Sequence, residues 1–279
     1  MEITTNGISV NVISESNSVP AEKTPILFLH GFTGSGKDWS SIFSSLDSKY
    51  FPIAVDLPGH GETTTPNNTI HFSSDAHASI IELVLNYFKI SKIILLGYSM
   101  GGRASLSFAT KNPERVIGLI LESATAGIEG NDEKTTRIKT DQTLANKLLE
   151  DGIDPFVNYW MELPFFRSLK SLSDYKYSKI ILEKKLNSTQ GLDNSLLGFS
   201  TGKMPSLWSH LNSLTTPTLL IAGSLDRKYV RINREMNQLF PNSKLEIIDD
   251  CGHNTHLENR DEFIILVNKF LNNLENHET

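Results

Sequence analysis

A single cysteine, Cys251, stands among 279 residues, so no internal disulfide is available and nothing in the chain requires an oxidising compartment. C-x-x-C and H-E-x-x-H spacings are absent, and the eight histidines do not gather as metal ligands would, so no metal is expected. No apolar run approaches the ~20 residues needed to cross a bilayer. Residues 1–6 lack the basic and apolar regions of a signal peptide. Positive charge is not in excess either. Lys and Arg number 26 against 32 Asp and Glu, and the net charge of −6 gives no support for binding nucleic acid or an anionic membrane. These absences leave an ordinary cytoplasmic protein, 39% hydrophobic and 21% charged, sized for one core or for one domain carrying an insertion.

What the chain does contain is a repeated alternation of strand and helix. Residues 8–13 alternate apolar and polar side chains like a half-buried first strand. Residues 26–29 (Ile-Leu-Phe-Leu), 51–55, 93–96, 116–121 and 218–223 are short, mostly apolar runs of the kind found in strands covered on both faces, and residues 244–248 read as the last strand. Between them lie helical patterns: residues 39–46, then Ile80, Ile81, Val84, Leu85 and Phe88 behind an N-cap at Ser73-Ser74-Asp75, and finally Phe263, Leu266, Val267, Phe270 and Leu274. The alternation predicts a mostly parallel, doubly wound sheet with helices on both faces. From residue 125 to residue 202 the pattern breaks. That stretch is helical or loop-like, rich in charge and aromatics, and lacks a Val/Ile strand. It is expected to be a helical lid, residues 125–202, inserted into a core made of residues 1–124 and 203–279.

The chemistry centres on Gly97-Tyr98-Ser99-Met100-Gly101-Gly102-Arg103, a G-x-S-x-G flanked by a strand run and a helical pattern. Such a turn strains the serine and holds its hydroxyl clear of the sheet, at the positive end of the following helix. A serine hydroxyl is a weak nucleophile or base until an imidazole takes its proton, and the imidazole in turn needs a carboxylate to fix its tautomer. Asp226 and His253 each follow a predicted strand, as Ser99 does, in the order serine, acid, histidine. Other assignments compete on sequence alone: Asp249 and Asp250 for the acid, His256 for the base, Cys251 for the nucleophile. His30-Gly31-Phe32-Thr33-Gly34-Ser35-Gly36 lacks the phosphate-loop register and reads instead as an oxyanion loop, in which Phe32 N–H and Met100 N–H would face a developing negative charge. His30 serves only to hold that turn, and Asp56 and His60, either side of Pro58-Gly59, form a loop clasp.

His30-Gly31-Phe32, Asp56-Leu57-Pro58-Gly59-His60-Gly61 and the serine motif together resemble the α/β-hydrolase superfamily. Further pieces narrow the resemblance: Leu121 to Gly127, Tyr159-Trp160 with Leu163-Pro164-Phe165-Phe166, Gly191 to Gly202, Ile232 to Met236 and Gly252 to Glu258. With these the chain resembles the 2-succinyl-6-hydroxy-2,4-cyclohexadiene-1-carboxylate synthases of menaquinone biosynthesis, over about residues 25–270. The resemblance implies an α/β-hydrolase fold, a lyase that removes pyruvate from a cyclohexene polycarboxylate with the serine–histidine pair as base, and no cofactor. It also implies substrate-binding roles for Arg103, one helical turn after Ser99, and for Arg137, with Tyr98 and Trp160 lining the pocket. Where the family carries a third binding arginine, this chain has Glu183-Lys184-Lys185-Leu186-Asn187, so Lys185 would keep the charge without the bidentate fork. A carboxylesterase or C–C bond hydrolase working through an acyl-enzyme is the alternative, and a ligand-binding receptor with a slow triad is a third. The expected partner is a small polycarboxylate, and the expected state a monomer or small homo-oligomer.

Overall fold

The computed structural model describes residues 1–5 and 7–275. The amino-terminal strands β1 (Glu2–Thr5) and β2 (Ile8–Ser14) form a hairpin, and β3 (Thr24–Leu29) leads into a short 3₁₀ turn and helix α1 (Ser40–Phe43). Then follow β4 (Tyr50–Val55), α2 (Ser74–Phe88), β5 (Ile93–Tyr98), α3 (Met100–Lys111) and β6 (Val116–Glu122). Four helices come before the sheet resumes: α4 (Asn131–Asp151), α5 (Ile153–Met161), α6 (Asp174–Lys185) and α7 (Thr189–Gly198). The chain ends with β7 (Thr218–Gly223), α8 (Arg227–Leu239), β8 (Ser243–Ile248), α9 (Thr255–Glu258) and α10 (Arg260–Glu275).

The eight strands form one sheet in the order β1-β2-β4-β3-β5-β6-β7-β8. The first two pairings are antiparallel and the rest parallel. Successive side chains in a strand point to opposite faces. Leu27, Leu29, Leu95, Leu119, Leu121 and Leu220 therefore pack with α2, α3 and α8 on one side. Ile26, Phe28, Ile94, Leu96, Ile120 and Ile221 meet Trp39, Ile42, Phe263 and Val267 on the other. This two-sided burial is why the central strands read as unbroken apolar runs. Ser73 caps α2 as expected, its Oγ accepting from Ala76 N–H at 3.2 Å.

Two sequence expectations need correction. The first strand is β1, not the run at residues 8–13; with four residues and Ile3 as its one buried side chain, it is too short to show a period. The helix expected over residues 39–46 shrinks to a 3₁₀ turn, Gly36–Trp39, and the four residues of α1.

The helical stretch between β6 and β7 has small cores of its own. In α4, a long and mostly polar helix, Asp141, Ala145 and Leu148 are the buried residues, spaced i, i+4, i+7 on one stripe. Ala145 and Leu148 pack with Phe156, Leu192 and Leu196, and Phe32 from the loop after β3 packs against the same group. A second group, Val157, Met161, Phe166 and Leu169, meets Leu257 of α9.

Candidate active site

Ser99 follows β5 at φ +50°, ψ −101° and immediately precedes α3. A residue held in such a conformation carries on the order of 1–3 kcal/mol of strain, and the surroundings hold it there. Ser99 N–H donates to the Glu122 carbonyl at 2.8 Å, and Arg103 N–H donates to the Ser99 carbonyl at 3.1 Å. The glycines on either side are steric requirements. A Cβ on Gly97 would overlap the Gly101 carbonyl, and one on Gly101 would overlap that of Leu29.

His253 comes from the loop after β8 and Asp226 from the loop after β7, so three strand ends deliver three side chains to one point. Ser99 Oγ lies 3.0 Å from His253 Nε2, and His253 Nδ1 lies 2.6 Å from Asp226 Oδ2. A carboxylate on Nδ1 assigns the proton to that nitrogen and leaves Nε2 as the acceptor for the serine hydroxyl. The other carboxylate oxygen, Oδ1, accepts from Tyr229 N–H at 3.2 Å, which caps α8 and fixes the acid in place. The rings of Tyr98, Tyr229, Phe165 and Phe166 lie within 4.6–6.2 Å of the imidazole and confine it. An alcohol, an imidazole and a buried carboxylate in this chain can move a proton off a substrate carbon, or off the serine itself.

Two backbone donors complete the centre. Met100 is the first residue of α3, ahead of the helix's own hydrogen-bond ladder, and Phe32 N–H has no acceptor among the described residues. Both residues line the pocket above Ser99. Gly31, before Phe32, lacks a Cβ because the ring of Tyr98 occupies that space.

The pocket also gathers Tyr98, Arg103, Arg137, Trp160 and His253 of the residues expected from sequence. Trp160 meets Phe32 edge-on with centroids 5.2 Å apart. Arg103 is buried, donates from Nη1 to the Phe199 carbonyl at 2.6 Å and lies 4.7 Å above the Phe199 ring. No carboxylate pairs with it among the described residues, and burial pulls its pKa down to about 10. Arg137 is held by Asp141 through Nε at 2.8 Å, and its two terminal nitrogens make no hydrogen bond among the described residues.

Lys185 is not part of this pocket. The side chain pairs with Asp154 at 3.5 Å, away from Ser99. A helix advances about 100° per residue, and it is the preceding Lys184 that turns inward, burying its ammonium against Thr33 Oγ1 at 3.2 Å. The third pocket cation is Lys228, at the solvent-facing rim. Partial burial, and then repulsion from Arg137, lower its pKa. Sequence reading passed over Lys228 although it stands only two residues after Asp226, and that spacing was the available signal. Tyr229, Ser195 and Phe199 line the pocket as well and had no comparable signal.

The competing assignments fall away on geometry. His256 stacks on Trp39 at 4.2 Å and is bound through Nδ1 to Glu122 at 2.6 Å, in the core. Asp249 and Asp250 are exposed and make no bond to His253. Burial raises the Cys251 thiol to about 12, so it holds no thiolate at neutral pH. His30 accepts from Leu57 N–H at 2.9 Å and bonds the Gly31 carbonyl at 2.7 Å, holding its turn. Asp56 accepts from Gly36 N–H, Asn11 and Glu62 N–H, the expected clasp, while His60 bonds the Pro58 carbonyl.

Comparison with known proteins agrees with this architecture. Residues 24–260 match the family described as alpha/beta hydrolase fold. A Bacillus subtilis protein assigned as 2-succinyl-6-hydroxy-2,4-cyclohexadiene-1-carboxylate synthase is 39% identical over 256 residues, covering 91% of this chain and 93% of that protein. The synthase of that name from Enterobacter sp. strain 638 is 26% identical over 234 residues, covering 84% of this chain and 86% of the relative. The solved structure of MenH from S. aureus superposes with a TM-score of 0.88 at 32% identity, covering 97% of this chain and 100% of the other. The chain therefore belongs to the α/β-hydrolase fold family and, within it, to the family of the 2-succinyl-6-hydroxy-2,4-cyclohexadiene-1-carboxylate synthases.

Proposed function

We propose that this enzyme is a lyase that eliminates pyruvate from 2-succinyl-5-enolpyruvyl-6-hydroxy-3-cyclohexene-1-carboxylate to give 2-succinyl-6-hydroxy-2,4-cyclohexadiene-1-carboxylate. The ring C2–H bond lies next to the succinyl ketone and is allylic to the ring double bond. Ser99 Oγ takes that proton while passing its own to His253 Nε2, and Asp226 stabilises the imidazolium. Negative charge developing on the ketone oxygen is met by Phe32 N–H and Met100 N–H. The electron pair then forms C2=C3, the old double bond becomes C4=C5, and the C5–O bond breaks. Enolpyruvate leaves with that bonding pair, takes a proton and becomes pyruvate. Ser99 acts as a base and is not acylated.

The observation that carries this reading is Arg103: a buried guanidinium with no carboxylate partner, one helical turn from Ser99 and lining the same pocket. Burying a cation unpaired is costly unless a ligand supplies the counter-charge. The substrate carries three carboxylates, and Arg103, Arg137 and Lys228 are the cations that face the pocket. An ester of a neutral short-chain acid would leave the buried Arg103 without a counter-charge. Residues 125–202 serve as the lid that brings Arg137 and Trp160 over the strand ends.

Direct assay decides the matter. Enzyme given the enolpyruvyl substrate should release pyruvate, read by coupling to lactate dehydrogenase, and Ser99→Ala should abolish the release. No pyruvate from the intact protein, with rapid turnover of neutral p-nitrophenyl esters that Arg103→Ala leaves unchanged, would mark an esterase instead.

A further inference from the structure

Thr33 directly follows Phe32 and has φ +67°. A β-branched residue in the left-handed region is a conformational outlier. Its position explains the angle. Gly34 N–H donates to the Gly31 carbonyl at 3.0 Å, closing a β-turn whose two central residues are Phe32 and Thr33. A positive φ at the third position is the mark of a turn that ordinarily takes glycine or asparagine there. Threonine in that place needs outside support to keep the turn from relaxing to its common form.

The support comes from the last turn of α6 and the segment joining it to α7. Asn187 Nδ2 donates to the Thr33 carbonyl at 2.9 Å, and Lys184 Nζ donates to Thr33 Oγ1 at 3.2 Å. Asn187 also bridges to the loop after β4, its Oδ1 accepting from Gly61 N–H at 2.9 Å. A backbone amide on one side and a carbonyl on the other fix which end of the side chain is which. Thr33, Lys184 and Asn187 are all buried, so water does not compete for these bonds. Four residues beyond Asn187, Gly191 touches Gly59 backbone to backbone, with no room for a Cβ on either. The lid segment is thus seated on both loops at the point where the strained threonine sits.

We infer that Asn187, with Lys184 beside it, is a positioning residue that holds the Gly31–Gly34 turn in the strained form and so keeps the Phe32 N–H in place over Ser99. Neither residue touches substrate; both act through Thr33. The inference rests on the oxyanion role proposed for Phe32. It makes docking of the α6–α7 segment a condition for catalysis and not only for enclosing the ligand.

The test separates turnover from binding. Asn187→Asp keeps an acceptor for Gly61 N–H but sets a carboxylate oxygen against the Thr33 carbonyl, whereas Asn187→Ala removes both of these bonds together with the one from Nδ2 to the Lys184 carbonyl. Both variants should lower kcat for pyruvate release about 10- to 100-fold, up to the ~100-fold that a small misplacement can cost and below the ~100- to 1,000-fold of losing an oxyanion donor outright, with KM changed less than about threefold. Thr33→Gly lets the turn hold a positive φ unaided, so Asn187→Ala should cost less kcat in that background than alone. If the Asn187 variants do not fold, as judged by thermal unfolding, Lys184→Met is the second probe and should show the same kcat-only loss at smaller size. Unchanged kcat, a loss confined to KM, or an Asn187→Ala cost that Thr33→Gly leaves untouched would overturn the inference. Ser99→Ala run alongside keeps the two readings apart. If it retains activity, the proposed reaction centre is wrong. If it is dead while the Asn187 variants turn over normally, only the positioning role fails.

Discussion

Asp141 Oδ2 holds Arg137 Nε at 2.8 Å across one turn of α4, and the acid is the buried member, 2% exposed against 33% for the arginine. The pair works as an orienting clamp rather than a stabilising surface bridge. The Nε edge is spent on Asp141, and on the function proposed above the fork of terminal nitrogens would take a substrate carboxylate. Asp141→Asn should therefore raise KM about three- to tenfold while kcat stays within about twofold, the pattern of lost uniform binding. Steady-state kinetics on the enolpyruvyl substrate checks it.

Arg103 sets function against stability. Arg103→Lys keeps the charge and loses the planar fork, and should cut kcat/KM roughly 10- to 100-fold, in line with a hydrogen bond to a charged group. Arg103→Met removes a buried cation that lacks a carboxylate partner and whose pKa burial holds down to about 10. That variant should lose activity yet unfold at a higher temperature than the parent, because the desolvation cost disappears with the charge. Differential scanning calorimetry beside the pyruvate assay reads both effects.

Three buried histidines predict acid sensitivity. Burial lowers His30, His60 and His77 from 6.5 to about 3. In the unfolded chain each takes up a proton near its ordinary value, while the folded chain resists until about pH 3. Between those limits the unfolded state binds more protons, so stability is fully present above the ordinary value and falls as pH drops toward the folded one. The urea midpoint should decline markedly from neutral pH to about pH 5. His77→Phe, which keeps the ring stack on Phe199, should make that decline shallower by one proton.

Cys251 offers a reading of unfolding. With its thiol pushed to about 12 by burial, it should react with iodoacetamide only as fast as the protein opens. Cys251→Ala should leave pyruvate release unchanged. Loss of turnover on that substitution would restore the cysteine as a candidate nucleophile.

The sheet and the triad were legible because each rests on a local rule. A strand buried on both faces must be apolar throughout, and a serine at +50° must have small neighbours at Gly97 and Gly101. The cation set was legible only in part. Arg103 follows Ser99 within one helix, so its face is fixed by helical spacing, but Lys184, Lys185 and Lys228 depend on how one element docks on another. In α6 polar residues surround the axis, and one residue of rotation separates the buried Lys184 from the outward Lys185. The same limit hid Asn187, whose importance lies in bonds to residues more than 120 positions away.

The contact between Gly59 and Gly191 has a consequence for how this pocket could change over evolutionary time. Because it joins two main chains with no side chain between them, this part of the seat of α7 asks only that residues 59 and 191 both be glycine. Ser195 and Leu196 leave the same helix to form part of the ligand wall. Of the two, Leu196 also packs against Ala145, Leu148 and Phe156 and is tied to the lid's own core, so Ser195 is the position where the wall can change while the helix stays where it is. The scaffold thereby separates the question of what is recognised from the question of where the lid rests, and new substrates can be sampled without rebuilding the fold.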